Sequence, residues 1–312
     1  MTVGTRLLTV RHTTVYRYSE PVRLGEHRMM FRPRESHDLR LVRTKLDIRP
    51  HPTGLRWLHD VFDNSVAIAT FDGTTTDLLR FDSTVTLEHL ENALPDYALE
   101  IAARTYPFSY PDEDLPELVR ARTRHYPGEE VSRWAARFQS SVGSTDTVAL
   151  LQAMTLGIRN EFTYVRRPAK GVQRPEDTLR LRSGSCRDFA LFMMEAVRSL
   201  GLAARFVSGY IFVPDTEEGG RADLTDTSDG PATVSGGATH AWMQVYLPGA
   251  GWVDFDPTNS VVGNRNLIRV AVAWDHGHAL PLWGSFFGAA SSCLRMDVNV
   301  SVTEAARPAT MP

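Results

Sequence analysis

The hydrophobic pattern changes period part-way along the chain, and this limits the fold more than any single motif. Over residues 5 to about 90 the apolar and β-branched residues follow partial period-two alternation, as in "LLTVRHTTVYRY" and "LLRFDSTVTLEHL". In "LVRTKLDIRP", Val42, Thr44, Leu46 and Ile48 fall on one face and Arg43, Lys45, Asp47 and Arg49 on the other, as a half-buried strand requires. "HDVFDNSVAIATFDG" reads as a turn at Asp63-Asn64 leading into another strand. Several short strands at this spacing predict an antiparallel, sandwich-like domain. From residue 146 the period becomes helical: Val148, Leu151, Met154, Ile158 and Phe162 recur at spacings of three and four.

A second helix is expected where Phe189, Phe192, Met193, Ala196, Val197 and Leu200 follow the same rule, with Gly201 at the left-handed C′ position. After it "AARFVSGYIFV", "HAWMQVYL" and "GWVDFD" read as strands, and residues 266–275 and 294–303 as two more. The stretch between, 95–145, is broken by Pro95, Pro107, Pro111 and Pro116, with room for short helices such as "EEVSRWAARFQ". The expected organisation is a β-rich domain over 1–95, a helical, Pro-punctuated linker over 96–145, a core over 146–303 that ends in strands, and a frayed tail over 304–312. Residues 214–239 carry six acidic residues against Arg221 alone, with many Gly, Ser and Thr. They read as a solvated excursion, with a mobile flap over a site as the alternative.

Composition removes several function classes. A net charge of −3 over 312 residues gives no electrostatic case for nucleic acid or an anionic membrane as partner. Charges interrupt every apolar run well short of the roughly 18 residues a membrane helix needs, and the first residues lack the apolar core of a secretory leader. Cys186 and Cys293 are the only cysteines. A reduced, cytoplasmic protein is the expectation, with a single disulfide left open.

Cys186 follows "SGS" and opens the second helix. With Ser185 or Ser183 as cap, its thiol lies in the first turn, where free N–H groups and the helix dipole favour a negative charge. A thiol there ionises more readily, and the thiolate is the nucleophile. The plain alternative is a small buried hydrophobe. A thiolate nucleophile needs a base and the base an orienting group. "HAWMQVYLPGAGWVDFDPTN" offers both. His240, Trp242, Gln244 and Tyr246 share one strand face; Trp252, Asp254 and Asp256 share a face of the returning strand. If Tyr246 opposes Trp252, Trp242 opposes Asp256, and His240 is one diagonal step from Asp256 on the same face. A slip of one residue would turn them apart. This register asks for a five-residue loop from Leu247 to Gly251, or a bulge. Taken singly, His240 reads as an ordinary histidine and Asp256 as an Asx-type turn at "DPTN".

The run Gly184-x-Cys186-x-Asp188, then "GLAARFVSGY", then "HAWMQVYLPGAGWVDFDPT" resembles the transglutaminase-like superfamily of papain-type cysteine enzymes, most of all its bacterial members. "HTTVYRYSEPV" and "DVFDNSV" resemble the β-rich region that precedes the core in one bacterial subgroup. The resemblance implies an α+β protein: an N-terminal antiparallel β-sandwich-like domain, then a transglutaminase/papain-like core whose cysteine-bearing helix packs on an antiparallel sheet. It implies Cys186 as nucleophile, His240 as base and then acid, and Asp256 as orienter. The chemistry implied is attack on a carboxamide or peptide carbonyl to give a thioester, resolved by water or an amine. Hydrolysis of a peptide or isopeptide bond is the favoured expectation. The alternatives are glutamine acyl transfer to an amine and a non-catalytic peptide-binding module on the same fold.

Around this triad, Tyr164 is a candidate second polar group near the thiol, with a plain strand tyrosine as the alternative. Asp188 matches the pattern and reads as structural or site-shaping, placed well for the helix dipole. Trp242 and Trp252 are candidate walls of the site, and Asp254 is the rival of Asp256. Arg205 reads as a partly buried partner of a carboxylate, with a substrate contact as the alternative. His276 and His278 form a His-x-His pair without a cluster of further ligands, so no metal is expected. No cofactor is expected either; the expected partner is a protein or peptide substrate, with no nucleic acid and no membrane, and the oligomeric state is left open.

Overall fold

The computed structural model describes residues 4–91, 98–140, 144–165, 167, 171–213 and 237–304. Of the segment read as an excursion or flap, 214–239, residues 214–236 fall outside the described residues and 237–239 belong to a strand; of the tail read over 304–312, residues 305–312 fall outside them and Glu304 ends a strand.

The alternating N-terminal segment forms five strands, β1 (Gly4–Met29), β2 (Leu39–Arg49), β3 (Gly54–His59), β4 (Ser65–Thr70) and β5 (Thr75–Glu91). They pair in the order β2-β5-β1-β4-β3. The long β1 is the axis of a curled, antiparallel sheet. Its ladder to β5 loses register between Arg17 and Val22, where Pro21 has no N–H to give. In β5, Leu79, Phe81, Val85 and Leu87 are buried on alternate positions. In β2 the expected face is broken: Leu41 opposes Leu87 and Arg43 opposes Thr86. Val42 is therefore the extra residue of a bulge and is 56% exposed. The alternation read from Val42 holds only from Thr44 onward.

Next come β6 (Thr105–Tyr106), α1 (Leu115–Arg122), α2 (Glu129–Ala136), β7 (Thr145–Asp146), α3 (Thr147–Glu161), β8 (Thr163–Tyr164), α4 (Pro175–Leu181), β9 (Ser183–Gly184) and α5 (Cys186–Ser199). The segment expected as a linker is not set apart from the core: Val131 and Trp134 of α2 are buried in the same apolar cluster as Leu151 and Met154 of α3 and Phe192 of α5. Trp134 meets the Phe192 ring at 4.7 Å.

A second antiparallel sheet contains β10 (Ala204–Phe212), β11 (Gly237–Leu247), β12 (Gly251–Asp256), β13 (Val261–Val262) and β14 (Leu267–Ala273), ordered β13-β12-β11-β10-β14. Ala241, Met243, Val245 and Leu247 share the core cluster with α5. The opposite parity carries His240, Trp242, Gln244 and Tyr246.

The last strands, β15 (Leu282–Phe287) and β16 (Cys293–Glu304), both pair with β1; the sequence reading places the strand at 294–303 with the core and names no strand over 282–287. Alternation specifies a strand but not its partner, and β1 has a free edge along both halves. Leu8, Val10 and Leu87 pack with Tyr210, Phe212, Ile268 and Val270 in one apolar seam between the two sheets. Within it the His12 ring contacts the Tyr210 hydroxyl at 2.9 Å and Thr14 at 2.9 Å; burial holds His12 down to about 4, hence neutral. Asn64 clamps β14: its Nδ2 donates to the Val272 carbonyl at 2.8 Å, and the Val272 N–H donates to its Oδ1 at 2.9 Å. No helix among the described residues is long and apolar enough to cross a membrane.

Candidate active site

The entrance of α5 is built from polar groups drawn inward. Ser185 is the N-cap in extended conformation, and Asp188 at the third helical position completes a capping box. The Ser185 N–H and hydroxyl both donate to Asp188 Oδ2 at 2.8 Å. Arg167 Nε donates to the same oxygen at 2.8 Å, and the Gln173 N–H to Oδ1 at 2.6 Å. Burial opposes the Asp188 charge, but Arg167, Gln173 and Ser185 outweigh it and hold the carboxyl below its ordinary value. Asp188 is thus a fully buried anchor for the segment before the helix. Gly184 is required here by crowding, since a Cβ would come within 2.8 Å of the Asp188 Cβ.

Parity settles the hairpin. Tyr246 opposes Trp252 and Gln244 opposes Asp254, the register that brings His240 and Asp256 to one face. The turn is tighter than expected. Leu247 and Gly251 still pair, leaving a three-residue turn over 248–250, closed by the Ala250 N–H on the Leu247 carbonyl at 2.9 Å. Gly249 and Gly251 take φ of 86° and 72°, a region open to glycine.

His240 Nε2 meets Asp256 Oδ2 at 2.8 Å. That leaves Nδ1 for the thiol: the Cys186 sulfur shares a hydrogen bond with the His240 side chain and accepts the Ala241 N–H. Burial raises the Cys186 thiol, but the His240 hydrogen bond and charge, the Ala241 N–H and the Arg187 charge bring it below its ordinary value. Burial likewise disfavours the imidazolium, yet the Asp256 charge and hydrogen bond, with Cys186, push His240 up to about 10. Asp256 is held low despite burial, by His240, Asn259 and Thr258. The three groups form a connected chain in which the charge on each favours the charged form of its neighbour.

The Asx-type turn at "DPTN" and the pairing with His240 are both present. Asp256 Oδ1 accepts the Thr258 N–H at 2.9 Å, while Oδ2 faces the ring. Asn259 was not singled out in the sequence. Its Nδ2 donates to Asp256 Oδ2 at 2.7 Å and lies 3.3 Å from His240 Nε2. The signal for it was the asparagine at the fourth place of that turn.

The remaining candidates fall elsewhere. Trp242 is fully buried and stacks on His240, centroids 5.9 Å apart at 23°. Its indole N–H donates to Asp254 Oδ1 at 2.6 Å, so it backs the imidazole ring. Asp254 serves Trp242 and not His240. Tyr164 pairs with Gly184 across β8 and β9 and sets its ring against Phe189 at 6.4 Å. Among the described residues Arg205 has no carboxylate in ion-pair contact, contrary to the sequence reading; it donates to Gln244 Oε1 at 2.8 Å. His276 Nδ1 lies 3.6 Å from Asp275. Cys186 and Cys293 are both free thiols.

Comparison with known proteins agrees with this architecture. Residues 8–88 match the bacterial transglutaminase-like N-terminal region, and residues 134–257 match the transglutaminase-like superfamily core. An uncharacterized Mycobacterium bovis protein is 28% identical over 307 residues, 96% of this chain and 93% of that protein. A protein-glutamine gamma-glutamyltransferase of Pseudomonas aeruginosa is 32% identical over 120 residues, 38% of this chain and 16% of that protein. A crystal structure from Cytophaga hutchinsonii, described as a candidate cysteine protease, superposes with a TM-score of 0.69 at 18% identity, covering 98% of this chain and 93% of that chain; at that identity it speaks for the fold. The chain thus carries a transglutaminase-like superfamily core at residues 134–257, preceded by a bacterial transglutaminase-like N-terminal region at residues 8–88.

Proposed function

We propose that this chain breaks amide bonds in a peptide or protein substrate by cysteine chemistry, with water as the final acceptor. The observation that carries the reading is the continuous contact from Asp256 through His240 to the Cys186 sulfur at the start of α5. The thiolate attacks the carbonyl carbon, and the carbonyl π electrons move onto oxygen. The N–H groups of the first turn of α5 stabilise that oxyanion. As the tetrahedral intermediate collapses, His240 gives its proton to the departing amine and a thioester remains on Cys186. Neutral His240 then takes a proton from water, hydroxide adds to the thioester, and the carboxylate leaves as the thiolate is restored. Asp256 fixes the ring through Nε2 and stabilises the imidazolium.

An amine can replace water in the second half. The sequence similarity to a protein-glutamine gamma-glutamyltransferase favours keeping that outcome in view. Mass spectrometry of the protein with a peptide library is expected to trap an acyl adduct on Cys186, absent in Cys186→Ala. Ammonia or free carboxylate release that outpaces incorporation of a primary-amine probe supports hydrolysis. Faster incorporation of the amine supports transfer. A protein that forms no adduct, and whose Cys186 reacts with iodoacetamide no faster than a peptide thiol, is a binding module and not an enzyme.

A further inference from the structure

On the sheet face that carries His240 and Trp242, farther toward the β11–β12 turn, a cavity of about 710 Å³ opens between the two sheets. This is the size range of small-molecule sites. The core contributes Arg205, Gln244 and Asp254, one from each of three adjacent strands and directly opposed in register. The N-terminal region contributes residues 34–38, and Arg269 lies between.

Most charges lining this cavity are matched. Arg34 pairs with Asp63 at 2.9 Å. Arg269 meets Asp38 at 3.3 Å and Asp254 at 3.7 Å. Arg205 differs. Its Nε is occupied by Gln244 Oε1, and its guanidinium lies over the Trp252 ring at 4.1 Å. These contacts hold one edge and one face and leave the terminal amino groups without an acceptor among the described residues. Burial, then the Arg269 charge, with a smaller contribution from Arg34, depress this guanidinium to about 9 against the pull of Asp254. A fixed, planar, under-compensated guanidinium suits bidentate capture of an oxoanion. Asp38 and Asp254 nearby disfavour a doubly charged group and admit a singly charged one.

We propose that this inter-sheet cavity binds the carboxylate of a small ligand, with the Arg205 guanidinium as its receptor and Trp252 as the platform that holds it. The site is separate from Cys186 and does not depend on its chemistry.

The test is a titration of the full-length protein with butyrate, inorganic phosphate, and a tripeptide with free or amidated C-terminus, at constant ionic strength. Tryptophan fluorescence reports the ring beneath Arg205. Saturable change is expected with butyrate or the free-acid peptide, and the tighter of the two names the source. Phosphate and the amidated peptide are expected to bind at least tenfold more weakly. Arg205→Gln is expected to weaken carboxylate binding at least tenfold, and Cys186→Ala to leave it unchanged. On the unaltered protein, the same carboxylate is expected to slow phenylglyoxal modification of Arg205, read by mass spectrometry. No saturation with either carboxylate, phosphate binding as tight as theirs, unchanged affinity in Arg205→Gln, or no protection of Arg205 would overturn the proposal.

Discussion

The Asp256 carboxylate divides its two oxygens between a turn and a ring, and that division makes it a sharp probe of the site. In Asp256→Asn the amide carbonyl can still accept the Thr258 N–H, but an NH₂ then faces His240 Nε2. The ring must accept there and carry its proton on Nδ1, toward the sulfur. The imidazolium loses its counter-charge and the thiolate its partner. Turnover is expected to fall by roughly 10³–10⁴, as when a triad acid is made neutral. The pH profile of iodoacetamide labelling tests the same link without a substrate. Native Cys186 should stay reactive below the ordinary thiol value of about 8.5, and the midpoint should move up in the variant. In the sequence these three residues stand out because two of them lie on one candidate hairpin and the third at a helix start; the register stays open there, and it is the family resemblance that sets Asp256 above Asp254. The contacts of Arg205 and Asn64 are not legible there. Their partners depend on which sheet faces which: Asn64 binds Val272, 208 positions away.

Helix α5 has an apolar stripe that was read correctly, yet it is buried on nearly every side. On its far side Glu195 and Arg198 form an ion pair at 2.9 Å with no exposed side-chain surface. In sequence such an i, i+3 pair reads as a solvated face. Here Glu195 accepts the N–H groups of His125 and Tyr126, and Arg198 donates to the carbonyls of Ala204 and Trp274. Removing one charge leaves the other stranded, and Glu195→Gln is expected to cost about 3–5 kcal/mol in urea unfolding. At the other end, Asp188→Asn should loosen the segment before Cys186. The Asp188 carboxyl is held below its ordinary 3.8. Its contribution to stability is therefore present above that value and is lost as pH falls through the lower folded one. The stability gap between native protein and Asp188→Asn, measured by denaturant unfolding, is expected to be full at pH 7 and to close as the solution is acidified below about 4.

Across the whole molecule the two sheets are joined by an apolar seam, by the Asn64 clamp and by the return of β15 and β16 to β1. A chain cut to residues 100–304 would lose the partner of both last strands and expose Tyr210, Phe212, Ile268 and Val270. It is expected to bind a hydrophobic dye and to show no cooperative thermal transition, whereas a free-standing core would melt sharply. Asn64→Ala leaves the seam in place but strands a buried carbonyl and N–H of β14. It is expected to lower stability by about 1–3 kcal/mol.

The pairing of Leu8–Tyr18 with Cys293–Glu304 also sets the order in which the protein can be born. A ribosome releases the first strand long before the last exists, so the opening segment must wait, half-matched, while the cysteine-bearing helix and its sheet are already complete. A nascent chain stalled short of its final dozen described residues would keep one edge of its longest strand open to strangers.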